Sequence, residues 1–342
     1  VRILIVGGTG LISSAIVRFL AERGDEVTVY NRARREGELP GSVRRLVGDR
    51  TRFEEFERQM AAAGRFDCVI DMVCYSPEEA ASAIRAFRGR TSQYVFCSTV
   101  DVYTKPARRY PVREGDERRP SGEFPYAANK AVCETLLLEA HGRGDLPVTV
   151  IRPAQTYGEG GSLIHTLGWG TYFLDRIRRG MPVVVHGDGN SLWCACHRDD
   201  VARAFVGAAG NASALGKAYN ATGEEWMTWN AYVEGIAEAM GAPRPKLVHI
   251  PTDLLGRLAP KRAEWCVKNF QFDNVFDNSA ARSELGFRYT IPWVEGARRT
   301  VRWLDERGRI EPAESQPFYD KLLAAWERAG DRLAQELGDL DG

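Results

Sequence analysis

The chain has 342 residues, 44% of them apolar, with 46 basic and 46 acidic side chains and a formal charge of +0. That length exceeds one small core, and the charge balance argues against a binder driven by attraction to nucleic acid or an anionic membrane surface. No apolar run approaches the roughly 18 residues that cross a bilayer, and no leader-like segment precedes the first strand, so the expectation is a cytoplasmic protein.

The first elements set the pattern. Arg2–Val6 is an apolar strand-like run, Gly7-Gly8-Thr9-Gly10 follows, and an amphipathic stretch from Leu11 to Arg23 reads as a helix. Strand-like runs recur at 26–30, 44–47, 68–72, 94–97 and 148–151, with helical stretches at 52–63, 77–87 and 126–140 between them. This alternation predicts an α/β fold, a Rossmann-type doubly wound parallel sheet. After Arg152 the rhythm loosens through Pro182 and the turn Gly187-Asp188-Gly189-Asn190, and a helix-rich tail begins at Thr228. Residues 1–153, with a returning segment at about 195–222, are expected to form the dinucleotide-binding domain; 154–194 and 223–342 form a smaller C-terminal substrate-binding lobe. Phe318, Leu322, Trp326, Leu333 and Leu337 share one helix face, which reads as a docking helix.

Seven cysteines, odd in number and mostly in strand-like contexts, read as free thiols. Cys194-Ala195-Cys196-His197 lacks a second ligand pair, so no metal site is expected.

Two segments carry chemistry. Glycines after the first strand let the backbone turn tightly and approach a pyrophosphate, which then meets the positive end of the following helix. Tyr126 and Lys130 stand one helical turn apart on the same face. A cation beside a phenol favours the phenolate, so Tyr126 is a candidate for exchanging a proton with a substrate hydroxyl. The second strand ends at Asn31-Arg32, with Arg34 and Arg35 following. An acidic residue there holds the ribose of NAD, whereas arginine suits the extra phosphate of NADP. Asn31 can still bond a ribose diol, so both cofactors stay open.

With Gly7, Gly10, Ser98, Thr99, Tyr126 and Lys130 in this order, the chain resembles the extended short-chain dehydrogenase/reductase superfamily, in its NAD-dependent epimerase/dehydratase branch. The resemblance runs from Val1 to about Leu304. The family's third glycine is Ser13 here. The resemblance implies cofactor-binding positions at Gly7, Thr9, Gly10, Leu11, Ile12, Asn31, Arg32, Asp49, Ser98, Tyr126, Lys130 and Pro153, with Asp49 at the adenine amine. It implies catalysis by Thr99, Asp101, Tyr126 and Lys130. Thr99 would bond the reacting oxygen, and Asp101 stands where relatives place the group that removes a proton beside a transient ketone. Gln155 replaces an asparagine that contacts substrate, and Trp193 replaces an arginine that clamps a sugar's diphosphate. An indole stacks on a flat ring but cannot pair with phosphate. His197 and Asp200 read as organising the chain rather than acting on substrate.

The resulting expectation is a redox-neutral dehydratase or epimerase on a sugar-containing small molecule, a nucleoside or glycoside in preference to a nucleoside-diphosphate sugar. NAD is favoured for such a reaction. No nucleic-acid or membrane partner is expected, and relatives of this kind often form homo-oligomers. Two alternatives stand beside it: an NADPH-dependent ketoreductase of a secondary metabolite, and a non-catalytic dinucleotide-binding or RNA-binding relative.

Overall fold

The computed structural model describes residues 1–34 and 39–338; Arg35 lies outside them. The chain divides into two compact units, the first made of Val1–Gly161, Cys194–Trp226 and Asn274–Gly296. At its centre is a seven-stranded sheet of β1 (Arg2–Val6), β2 (Glu26–Asn31), β3 (Arg44–Val47), β4 (Phe66–Asp71), β5 (Thr91–Cys97), β6 (Val148–Pro153) and β7 (Ala218–Ala221). In space the order is β7-β6-β5-β4-β1-β2-β3, with every neighbouring pair parallel. The connecting helices include α1 (Leu11–Glu22), α2 (Phe53–Ala63), α3 (Pro77–Phe87), α4 (Pro125–Gly142) and α5 (Arg198–Ala208). The doubly wound Rossmann-type sheet expected from the strand–helix alternation is therefore present.

Helices cover both faces of the sheet, which is why Ile3, Leu4, Ile5 and Val6 are all buried rather than alternating. Ile3 and Ile5 meet Ile16 and Leu20 of α1 and Phe205 of α5. Leu4 and Val6 share a core with Phe56 of α2, Phe87 of α3 and Leu137 of α4. Local signals start the helices where they are needed. Ahead of α3, Ser76 and Glu79 form a reciprocal capping box and proline occupies the first turn. The strand order reverses between β1 and β4, whose last residues Val6 and Asp71 lie side by side. Sheets of this type bind ligands at the carboxyl ends of the strands beside such a reversal.

Asn274–Gly296 also belongs to this unit, whereas the strand–helix rhythm assigns it to the C-terminal lobe. Leu285 and Phe287 enter the sheet's core, and Val112 bridges to Phe276.

Among the described residues, the second unit contains Ser162–Trp193, Met227–Asp273 and 297–338. Val183–His186 pairs in parallel with Leu247–Ile250, and Leu192–Trp193 pairs antiparallel with Met227–Thr228. Its core is aromatic. Trp193, Trp229 and Phe270 approach one another with ring centroids about 5 Å apart. The terminal helix Pro317–Gly338 docks only at its start: Tyr319 and Leu322 are buried, while Leu333 and Leu337 are 57% and 59% exposed. The docking expectation therefore holds for the first turns alone, because the helix outruns the core it packs on. No helix among the described residues is long and apolar enough to cross a membrane.

Candidate active site

The turn after β1 has to be glycine. Gly7 and Gly8 adopt φ of +119° and +93°, and a Cβ on Gly8 would lie 2.6 Å from Val29 Cγ1. Gly10 caps α1, and its N–H donates to Ser13 Oγ at 2.8 Å. Ser13, in place of the family's third glycine, thus fastens the helix start. The first-turn N–H groups of α1, at Leu11 and Ile12, have no acceptor within the helix and project from its positive end. Thr9, Leu11 and Ile12 are half-buried around this turn. A bare-backbone turn feeding a helix start fits a pyrophosphate.

At the end of β2, Asn31 braces that turn. Its Nδ2 donates to the Gly7 carbonyl at 3.0 Å and its Oδ1 accepts from Ala33 N–H at 2.9 Å. Arg32 and Arg34 are exposed. Asp49 accepts from both the hydroxyl and the N–H of Thr51, at 2.8 and 3.1 Å. Those bonds, with a smaller contribution from the Arg32 and Arg34 charges, hold its carboxyl below the usual range.

The side chains expected to react gather where β5 ends. Thr99 caps a short 3₁₀ turn at Val100–Val102. Its Oγ1 donates to Asp101 Oδ2 at 3.1 Å and accepts from Asp101 N–H at 3.2 Å. The same hydroxyl hydrogen-bonds the phenol of Tyr126, in the first turn of α4. Lys130, one turn further on, donates to the Cys97 carbonyl at 2.6 Å and lies over the rings of Tyr75 and Phe96.

This arrangement reverses one expectation. Burial, followed by the charge of Asp101, pushes the Tyr126 phenol well above its ordinary range; Cys97 and Tyr75 add to this and the Thr99 bond opposes it. With Lys130 bonded to a carbonyl, the nearby charge that dominates the phenol is negative. Tyr126 is therefore a held proton in this state.

Lys105 is a neighbour of this cluster that the spacing of motifs did not reveal. Its Nζ donates to Asp101 Oδ1 at 3.2 Å and to Asn274 Oδ1 at 2.8 Å. Burial pushes the ammonium below its ordinary range, and Asp101 works against that. A lysine four residues after an acid is too common a pattern to find, and Asn274 is far away in sequence.

Ser98 turns its hydroxyl to Glu134 Oε1 at 2.5 Å. Pro153 ends β6 and is buried. Gln155 stands two residues further on, with an Oε1 that is buried and has no hydrogen-bond partner among the described residues. In the second unit, Trp193 is 3% exposed, tilted against Trp229 and edge-on to Phe270, and its buried Nε1 likewise has no such partner. A flat ligand ring would have to displace those neighbours to stack on it. His197 caps α5 and meets Glu159, while Asp200 accepts from Thr290 and Ile291. All seven cysteines are buried free thiols.

Residues 3–222 match the model of the NAD dependent epimerase/dehydratase family. Among curated proteins, the chain is 29% identical to a chloroplast stem-loop binding protein of 41 kDa from Arabidopsis thaliana, over 86% of this chain and 77% of that one. It is 28% identical to 2'-dehydrokanamycin reductase of Streptomyces kanamyceticus, over 92% and 87% of the two chains. The solved structure of an epimerase from Methanothermobacter thermautotrophicus superposes with a TM-score of 0.73 at 20% identity, covering 90% of this chain and 92% of that one. The glycine turn, the phenol–hydroxyl pair and the family match agree: the chain belongs to the NAD dependent epimerase/dehydratase family and is an enzyme of that kind.

Proposed function

We propose that the enzyme is a redox-neutral dehydratase or epimerase that works through a transient ketone on a sugar-containing small molecule. The observation that carries this reading is that Thr99 Oγ1 touches both Tyr126 and Asp101, so one hydroxyl joins a proton-carrying phenol to a carboxylate. Simple alcohol–ketone exchange needs no such second group; removing a proton from the neighbouring carbon does.

The Gly7–Gly10 turn and the start of α1 would hold the cofactor's pyrophosphate. Asn31, Arg32 and Asp49 would meet its adenosine half, and Ser98, Tyr126, Lys130 and Pro153 its nicotinamide half. Bound there, the nicotinamide would take hydride from a carbinol carbon and give it back once the neighbouring carbon has reacted, so that the cofactor ends as it began. Thr99 and Tyr126 hold the reacting hydroxyl between them. Tyr126 exchanges the oxygen-bound proton, and Asp101, kept in place by Lys105, takes the proton from the adjacent carbon. Return of that proton on the other face inverts the centre; loss of a hydroxyl instead eliminates water.

The substrate reading is a nucleoside or glycoside without a diphosphate. It is supported by Trp193, an aromatic core residue standing where relatives place the clamping arginine. Calorimetry with UDP- and dTDP-sugars tests it: weak binding is expected, and micromolar affinity would overturn it. Turnover without net change in NAD(P)H is expected for the reaction itself.

A second reading, an NADPH-dependent ketoreductase, is favoured by one observation: exposed Arg32 and Arg34 near Asp49 suit a 2′-phosphate. One-for-one consumption of NADPH with product would establish that reading and displace the first.

A further inference from the structure

Tyr126, Lys130 and Glu134 succeed one another at four-residue steps on one face of α4. Each meets one of three consecutive residues at the end of β5: Tyr126 meets Thr99, Lys130 meets Cys97 and Glu134 meets Ser98. Glu134 is fully buried, yet it is a carboxylate. It takes a bidentate pair from Arg152, Nε at 2.9 Å and Nη2 at 2.7 Å, besides the Ser98 hydroxyl. Arg118, carried by the loop that leads to α4, reaches the same carboxylate at 2.5 Å.

Arg152 has a second task. Its Nη1 donates to the Tyr103 hydroxyl at 2.7 Å, and Tyr103 donates in turn to Asn220 Oδ1 at 2.7 Å. Ser98 and Tyr103 bracket the short segment that carries Thr99 and Asp101. Both ends of that segment are therefore tied to one ion pair, and neither tie involves Thr99 or Asp101 directly.

We propose that the buried Glu134–Arg152 pair, closed from the loop by Arg118, is the positioning device of the active site, fixing Ser98 and Tyr103 so that Thr99 and Asp101 are held in register with Tyr126. Glu134, Arg152 and Arg118 are positioning residues, since none contacts the reacting atoms. A bidentate pair fixes both side chains in plane and direction, and Arg152 cannot turn away without stripping Glu134 of two of its bonds. The proposal rests on Thr99 being a reactive side chain, but its test reads Thr99 itself and needs no substrate.

The test is methyl NMR on full-length protein labelled at threonine, with Thr99 assigned from its loss in Thr99→Val. Thr28 on β2, away from the pair, serves as the internal control. A single sharp Thr99 resonance is expected in the wild type. Tyr103→Phe, which deletes one oxygen, and Arg118→Met should each split or broaden it. Arg118→Lys should restore it, and NAD affinity in Tyr103→Phe should stay within about twofold on calorimetry. An unchanged Thr99 signal in both Tyr103→Phe and Arg118→Met overturns the proposal. So does equal disturbance of Thr28, which would mean that the pair holds up the fold rather than the site. Failure of the catalytic reading would show elsewhere, as normal turnover in Asp101→Asn.

Discussion

The two units bury polar groups in opposite ways. In the first, charges go inside in pairs: Arg50 meets Asp71 at 2.6 Å and Arg152 meets Glu134 at 2.7 Å, and each pair is joined by a tyrosine hydroxyl. In the second, the interior holds neutral imidazoles among aromatic rings. Burial pushes His165 down to about 3 and His186 down to about 4, so both are uncharged. Its buried Arg176 reaches outward to the half-exposed Asp320. Charge pairs are costly to desolvate and give little net stability, so their concentration around β4, β5 and β6 calls for another reason. They lie next to the strand ends where orientation matters. An aromatic core gives shape without fixing direction to the same degree.

The largest effect expected is on stability. Arg152→Met leaves Glu134 buried with Arg118 as its remaining cationic partner and should cost about 3–5 kcal/mol in urea unfolding. A loss below about 1 kcal/mol would mean that water reaches Glu134, and the contrast between the units would weaken.

Next comes the proton that the first unit holds. Tyr126→Phe should lower turnover by roughly 100-fold or more, the usual scale for a general acid–base. Cofactor affinity should stay within a few-fold, because the backbone turn is untouched. Near-normal turnover would remove Tyr126 from the chemistry in either functional reading.

Acid sharpens the contrast from the other side. A histidine whose folded pKa lies below its ordinary 6.5 contributes stability that is complete above that value and is lost as pH falls toward the folded pKa. The second unit should therefore lose stability from about pH 6.5 down to about 3–4, because the unfolded chain takes up protons that the fold refuses. His165→Phe, which keeps a ring against Phe173, should flatten this slope in melting curves taken between neutral pH and about pH 5. An unchanged slope would show that His165 charges without unfolding its surroundings.

Features governed by short-range rules were legible in the sequence. Apolar runs alternating with helical stretches announced the strands, the glycines after Val6 announced the turn, and Tyr126 and Lys130 sit one turn apart on their own helix. The hidden features depend on distant partners. Lys105 gains meaning only beside Asp101 and Asn274, and Glu134 only beside Ser98, Arg118 and Arg152. The Tyr126 phenol departs from its sequence expectation for the same reason. Helical spacing brings Lys130 near it, but the fold gives that ammonium to the Cys97 carbonyl and places Asp101 closer in effect. Asn274–Gly296 likewise shows its membership of the first unit only once Phe287 has met the sheet.

The smallest effect tests the residue that departs from the family's glycine pattern. Ser13 accepts the Gly10 N–H at 2.8 Å, so that group is already satisfied when a dinucleotide arrives. Removing the hydroxyl in Ser13→Ala leaves the N–H without its acceptor in a half-buried turn and should cost about 1 kcal/mol on urea unfolding. NAD affinity should change by no more than about twofold, because the first-turn N–H groups of Leu11 and Ile12 still face the position proposed for the pyrophosphate. A loss of about tenfold or more in affinity would mean that the Ser13 hydroxyl itself meets the cofactor, since one charge-assisted bond is worth that much. Ser13 would then be a ligand-binding residue that also caps a helix, and the glycine turn would owe part of its grip to a side chain.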